Sequence, residues 1–444
     1  MTWTMPIRFS AITAPARIMI CVGVLTGALL ALAAAPSEAR GTKISDFAAT
    51  LSPAERQRVE RWHAAQTFHD AAVDAYWGQV ARIKRVRKAR QRRGQVITAR
   101  HYVTDFPPKY TGPKLGKSLW RRWVAFRDKG KPPRKRRRST LPDLADFLAA
   151  SKKYYGFSPE RIPAPEFKRR YAAEALKLGL TKEQVVRVYA LETGGLGTAD
   201  MVAGIHPIRR TGRPISSAMG YAQLLAANTL LVLQKHGGSF EARLTAMRDR
   251  ARSSERRRIL TDKIAKLQRM RAYVKTLPRK WSVLQKASRT GRGRGVHAIN
   301  IDGDIGPWVQ VVKLRDVKRF GARKGRKTLT PEQLELMNLA GPGTGIEMMT
   351  SLGSQMPTSN FFSRRGYNRN SIVRGRRAHE LLTALGERMD VNEKNSGARE
   401  FTRIFDQLIQ KGGRAAPGPT VVRSGTRTSS HAVPELMSVF KTLR

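Results

Sequence analysis

The 444-residue chain has a single cysteine, Cys21. One thiol excludes a disulfide framework and any site built from several cysteine ligands. Acids are also scarce: 33 Asp and Glu stand against 84 Lys and Arg, a formal net charge of +51. The eight histidines show no metal-ligand spacing, so no metal and no cofactor is expected, and His206 reads as a loop residue. "GRGRG" and "GPGTG" lack the Lys-Ser/Thr that a phosphate loop needs. "NIDGDIG" sets Asn300, Asp302 and Asp304 at alternate positions, but the glycine and distal Glu of a calcium loop are missing. Strand signals are few and short, which leaves a mainly α fold.

So much positive charge predicts attraction to a polyanion: nucleic acid, anionic lipid or an acidic envelope polymer. No zinc-finger spacing, stacking motif or helix-turn-helix accompanies it, so no nucleic-acid partner is expected. The N-terminus points to the envelope. Arg8 and Arg17 precede the uncharged run "IMICVGVLTGALLALAAA", and Ser37 and Ala39 carry the small-residue spacing of a signal-peptidase site. Residues 1–39 therefore read as a signal peptide and the product as exported and periplasmic, or as membrane-anchored if the segment stays uncleaved.

Residues 40–160 form a basic, mostly helical region. Ser52-Pro53-Ala54-Glu55 opens a helix with a capping box and Pro at its first position. Pro107, Pro108 and Pro113 deny helix to the stretch that follows. The charge runs Arg82–Arg93 and Arg134–Arg138 are either solvated segments or a docking surface for anionic lipid or another envelope polyanion. From 161 to 390 the composition turns globular. Thr181-Lys182-Glu183-Gln184 and Thr330-Pro331-Glu332-Gln333 each open a helix. "AMGYAQLLAANTLLVLQKHGG" reads as a buried helix closed by Gly237, and residues 241–277 as a long charged helix or hairpin. Met356–Gly375 reads as a sugar-binding or turn-rich surface. Residues 391–444 read as a C-terminal helix and a linker-like tail.

The helix that opens at Thr181 carries Val185, Val188 and Tyr189 on one face, and Glu192 continues that face just before Gly194. Desolvation and the negative end of the helix dipole both disfavour a carboxylate there. Both raise its pKa toward what a general acid needs at neutral pH. The plain alternative is a helix-end Glu paired with one of the many arginines.

Three segments in order, Glu192-Thr193, "SSAMGYAQ" with Ala218, Gly220 and Gln223, and "MNLAGPG" with Asn338, Ala340 and Gly341, resemble motifs of the soluble lytic transglycosylases. These are lysozyme-like enzymes that cleave peptidoglycan, and the resemblance covers about 165 to 390. Ser217 stands where the family usually has Gly, Leu339 interrupts Asn-Ala-Gly, and Met337 replaces a common Tyr. Residues 241–325 look like a large helical insertion.

The resemblance implies a lysozyme-like catalytic domain whose partner is the peptidoglycan glycan strand. It implies Glu192 as both acid and base, cutting the bond between N-acetylmuramic acid and N-acetylglucosamine and closing a 1,6-anhydro ring. Thr193, Ser217, Gly220, Tyr221, Gln223, Asn338 and Tyr367 are the expected substrate-binding residues. The rivals are a hydrolytic muramidase, with Asp200 or Asp302 as second carboxylate, and a silent cationic envelope-binding protein. The lack of a second carboxylate with a claim to the site favours ring closure.

Overall fold

A computed structural model describes residues 38–129 and 141–412. Residues 1–37 of the signal segment, the Arg134–Arg138 cluster and the linker-like tail lie outside the described residues. Among the described residues the regular structure is helical, with isolated bridges but no strand. No helix of the described residues is long and apolar enough to cross a membrane.

The chain divides into two compact units. One comprises the described residues up to 65 together with 112–129. It holds α1 (Glu38–Ala49), the beginning of α2 (Pro53–Arg92) and α3 (Lys117–Asp128). Its core is Ile44, Phe47, Leu51, Val59, Leu119 and Trp123. Ser52 Oγ accepts from the Glu55 amide at 3.4 Å, which starts α2 at Pro53 as the capping signal requires.

The second unit contains residues 66–111 and the described chain from 141 onward. The basic region expected at 40–160 is thus shared between the units. In this second unit α4 (Leu144–Tyr155), α5 (Ala164–Lys177) and α6 (Lys182–Thr193) are followed by an irregular segment with three bridges. The long hairpin of α7 (Ala226–Asp249) and α8 (Ser254–Lys275) comes next, then α9 (Trp281–Ala287) and α10 (Gly291–His297). Helices α11 (Ile305–Arg323), α12 (Pro331–Ala340), α13 (Pro342–Met348) and α14 (Ser351–Ser354) follow. Three more, α15 (Arg364–Arg369), α16 (Ala378–Glu393) and α17 (Ser396–Gln410), complete it.

Helix α11 explains why this arrangement is a single body. Its Val309 and Val312 pack with Leu230, Leu233 and Leu267 of the hairpin side. Its Val311, Leu314 and Val317 pack with Tyr171, Val188, Leu334 and Phe405. Each such buried side chain contributes about 1.5–3 kcal/mol of transfer free energy. Part of the expected 241–325 insertion is therefore the central helix of the fold. The C-terminal helix expected within 391–444 is α17, which packs on α5 and α6 and buries Phe401 and Phe405.

Two local expectations change. Helix α7 starts at Ala226, because Gly220 and Gln223 both have positive φ, 82° and 39°, and break any helix before it. It also runs through Gly237 and Gly238. A Cβ on either would lie 3.0 Å from Arg271 of α8, so these glycines admit a neighbouring side chain instead of ending the helix. The 356–375 segment is partly interior: Met356, Phe361 and Tyr367 share a core with Tyr76 and Trp77 of α2, while Arg364 and Arg365 are exposed.

The charge run in α2 has a buried face as well. Arg87 is 1% exposed and pairs with Glu347, while donating to the carbonyls of His101 and Asn360 at 2.9 Å each. Its guanidinium lies 4.2 Å from the Tyr102 ring centroid. Lys84 donates to the Phe361 carbonyl, and burial lowers its pKa to about 8.

Candidate active site

Helix α6 ends as its sequence requires. Thr181 and Gln184 form the reciprocal capping box, and Gly194 adopts the left-handed conformation at φ 64°. Gly195 follows at φ 66°, where a Cβ would lie 2.1 Å from the Asn392 carbonyl oxygen. Asn395 donates to the Gly194 carbonyl and the Ala398 amide to that of Gly195, so the turn between α16 and α17 clamps this helix end. The glycines after Glu192 serve packing, and they fix the last turn of α6 in place.

Glu192 stands in that last turn. Part of its side chain is accessible, while protein surrounds the carboxyl on most sides. Two helices supply its polar neighbours. Helix α12 carries Glu335 and Asn338 three residues apart, hence on one face. Helix α11 contributes Lys313. Asn338 Nδ2 lies 3.4 Å from Glu192 Oε1 and 3.2 Å from Glu335 Oε2. Lys313 Nζ donates to Asn338 Oδ1 at 3.1 Å, which orients the amide so that its NH₂ faces the two acids. The two carboxyls are also within hydrogen-bonding reach of each other when one is protonated.

Burial pushes Glu192 well above the usual carboxylate range, and the charge of Glu335 and its hydrogen bond push in the same direction. Glu335 is 2% exposed; burial raises it to about 7, against the lowering effects of Asn338, Glu192 and Lys313. Burial in turn lowers the Lys313 ammonium. Two like charges in one dry site cannot both form cheaply, so the pair retains a proton at neutral pH. Glu192 keeps it longer, and Glu192 is the member that reaches solvent. Chemically, this is an accessible acid backed by a buried one.

Glu335 is the second carboxylate that sequence reasoning missed. A signal existed: it is a lone acid between Leu334 and Leu336, three residues before Asn338, on a helix whose other face is apolar. The two acids expected as rivals have other partners. Asp200 accepts from Thr198 and pairs with Arg161 and Arg210. Asp302 is fully buried, pairs with Lys263 and accepts from the amides of Glu160, Asp304 and Ile305. Asp304 completes that network through Lys263, Arg256 and Arg170, which makes "NIDGDIG" a charged structural knot. His206 organises its loop, its Nδ1 accepting from the amides of Ile208 and Arg209.

Of the expected substrate-binding residues, Asn338 alone is bonded to Glu192. Thr193 is buried and donates back to the Tyr189 carbonyl at 2.7 Å. Ser217 Oγ accepts from the Ala226 amide and so caps α7. Gly220, at φ 82°, lies against Gln310, whose amide nitrogen a Cβ would meet at 2.6 Å. Gln223 is buried and donates to the carbonyls of Gly220 and Met201, stabilising its own turn. Tyr221 sits in an aromatic cluster with Phe167, Tyr171, Tyr189 and Phe401. Through Tyr171, whose hydroxyl feels the Glu192 charge, that cluster forms the apolar backing of the site. Tyr367 is buried against Trp77 and accepts from the Gly375 amide at 2.8 Å. No family model, no curated protein and no solved structure matches the chain.

Proposed function

We propose that this protein is an exported peptidoglycan lytic transglycosylase of lysozyme-like architecture, with Glu192 as general acid and then general base. The observation that carries the reading is a partly exposed acid at the end of an apolar helix whose carboxyl keeps its proton because burial, and then the neighbouring Glu335, disfavour its charge. Glu192 protonates the oxygen between N-acetylmuramic acid and N-acetylglucosamine as that bond breaks. Its carboxylate then takes the proton of the muramic C6 hydroxyl, which attacks C1 and closes the 1,6-anhydro ring. The proton count on Glu192 is restored, and water is not consumed.

The net charge of +51 suits an enzyme working on an anionic envelope, where electrostatic attraction raises encounter. Digestion of purified sacculi, read by mass spectrometry, tests the proposal. The expected products are 1,6-anhydromuropeptides, and Glu192→Gln abolishes them while the fold is retained.

A hydrolytic muramidase is the second reading, because Glu335 adds the carboxyl that such a mechanism needs. Hydrolysis requires acid and base to flank the sugar, about 5–9.5 Å apart with substrate between them. Glu335 is buried and shares one amide with Glu192, so it stands behind the acid and not across the substrate from it. Reducing-end muropeptides in the digest would establish this second reading against the first.

A further inference from the structure

One carboxyl that must act first as acid and then as base faces conflicting demands. A carboxyl with an ordinary pKa is deprotonated at neutral pH before it can donate. Once it has donated, its carboxylate is a weak base toward an alcohol. The site around Glu192 answers both demands with Asn338 and with two residues outside the three motifs. Glu335 lies behind Glu192, bridged to it by Asn338, and Lys313 on α11 holds the far side of that amide.

Resting on the transglycosylase reading, we propose that Glu335, oriented by Asn338 and Lys313, is the positioning residue that lets Glu192 serve in both steps. In the resting site Glu192 carries the proton and donates it toward the Glu335 carboxylate. When substrate docks, that proton passes from Glu192 to the glycosidic oxygen as the C1–O bond breaks. Glu192 is then an anion beside another anion. Their repulsion raises its affinity for a proton, and it recovers one from the C6 hydroxyl as the new C1–O6 bond forms. Glu335 does not touch the substrate, and it is unchanged over the cycle. Lys313 limits the repulsion, so that the doubly ionised state remains accessible.

The pair joins Glu192 on α6 to Glu335 on α12, and it is faced by Asn338 on α12 and Lys313 on α11. Tyr171 on α5 is the further titratable neighbour that feels Glu192. Removing Glu335 or Lys313 should therefore act in opposite directions. This is an effect that general loss of structure does not produce.

The test is the pH profile of anhydromuropeptide release by the full chain. Glu335→Gln keeps the shape and removes the charge. Its activity at pH 8 relative to pH 5.5 should fall about tenfold below the wild-type ratio, because the alkaline limb moves down. Lys313→Met should raise the same ratio. Equal losses at all pH values in Glu335→Gln would reduce Glu335 to a structural role and overturn the proposal.

A second measurement separates this inference from the activity itself. Carbon-13 NMR of glutamate side-chain carboxyls follows Glu192 directly, with Glu192→Gln identifying its signal. The Glu192 titration midpoint should drop in Glu335→Gln; an unchanged midpoint would overturn the proposal even if the wild type were fully active. If the wild type released no product, the functional reading would fail, and the titration would still decide whether Glu335 governs the Glu192 proton.

Discussion

Glu192 and Glu335 share one amide: Asn338 Nδ2 is 3.4 Å from the first carboxyl and 3.2 Å from the second. The two acids are 143 positions apart in sequence and on different helices, α6 and α12. Their proximity gives the site its chemistry, and it makes Asn338 a component with two functions. It donates to both carboxyls, and through its oxygen it ties them to Lys313.

Asn338→Ala removes that donor and leaves the carboxyls facing each other without a neutral bridge. Loss of one preorganised donor at a reacting charge typically costs about 10²-fold in rate. On the proposed transglycosylase function, anhydromuropeptide release should fall by about that factor with circular dichroism unchanged. A variant as active as wild type would remove Asn338 from the site.

The buried pair also predicts how stability varies with pH. Glu335 is raised in the folded state from 4.5 to about 7, so the folded protein holds this proton more tightly than the unfolded chain does. The associated stability is complete below about 4.5 and is lost as pH rises through about 7. Glu335→Gln should therefore be more stable than wild type at pH 8, with the advantage vanishing near pH 4. Urea unfolding at several pH values checks it, and a variant less stable at pH 8 contradicts it.

His297 predicts the opposite slope on the acid side. It is buried between Thr229, Asn300 and the Ser217 carbonyl, and burial lowers its pKa from 6.5 to about 4. The folded state then binds the proton less tightly than the unfolded chain. Its stability is present above about 6.5 and is lost as pH falls toward 4, by about 3 kcal/mol. His297→Gln should lower stability at pH 7 by about 1–3 kcal/mol, through partners left unsatisfied, and remove this part of the acid slope. Thermal unfolding between pH 4 and 7 reads both effects.

Arg87 and Arg85 are two residues apart in the same basic run, yet they should respond differently. Arg87 is buried against Glu347, and Arg85 is exposed. Arg87→Ala strands a buried carboxylate and should cost about 3–5 kcal/mol. Arg85→Ala should change stability by no more than about 0.5 kcal/mol. Equal effects in denaturant titrations would show that the Arg87 pair is not a stabilising node.

Much of the helical framework was legible in the residues. The boxes at Thr181–Gln184 and Thr330–Gln333 form as their side chains dictate, because a cap is a contact between residues three apart. The end of α6 at Gly194 was legible for the same reason. Gly237 misled because what decides its role is Arg271 on another helix. The burial of Arg87 was equally hidden, since Glu347 lies 260 residues away.

The site divides along the same line. By itself the sequence determined that Glu192 closes an apolar helix, that Asn338 sits on another, and that the chain is mainly helical and strongly basic. These follow from periodicity, capping and charge, which act over a few residues. Only the tertiary structure decided that Glu192 has Glu335 behind it and Lys313 beyond Asn338, and that Asp200 and Asp302 are held by other cations. Proton sharing depends on separations of a few ångströms and on the exclusion of water, and packing between distant helices sets both.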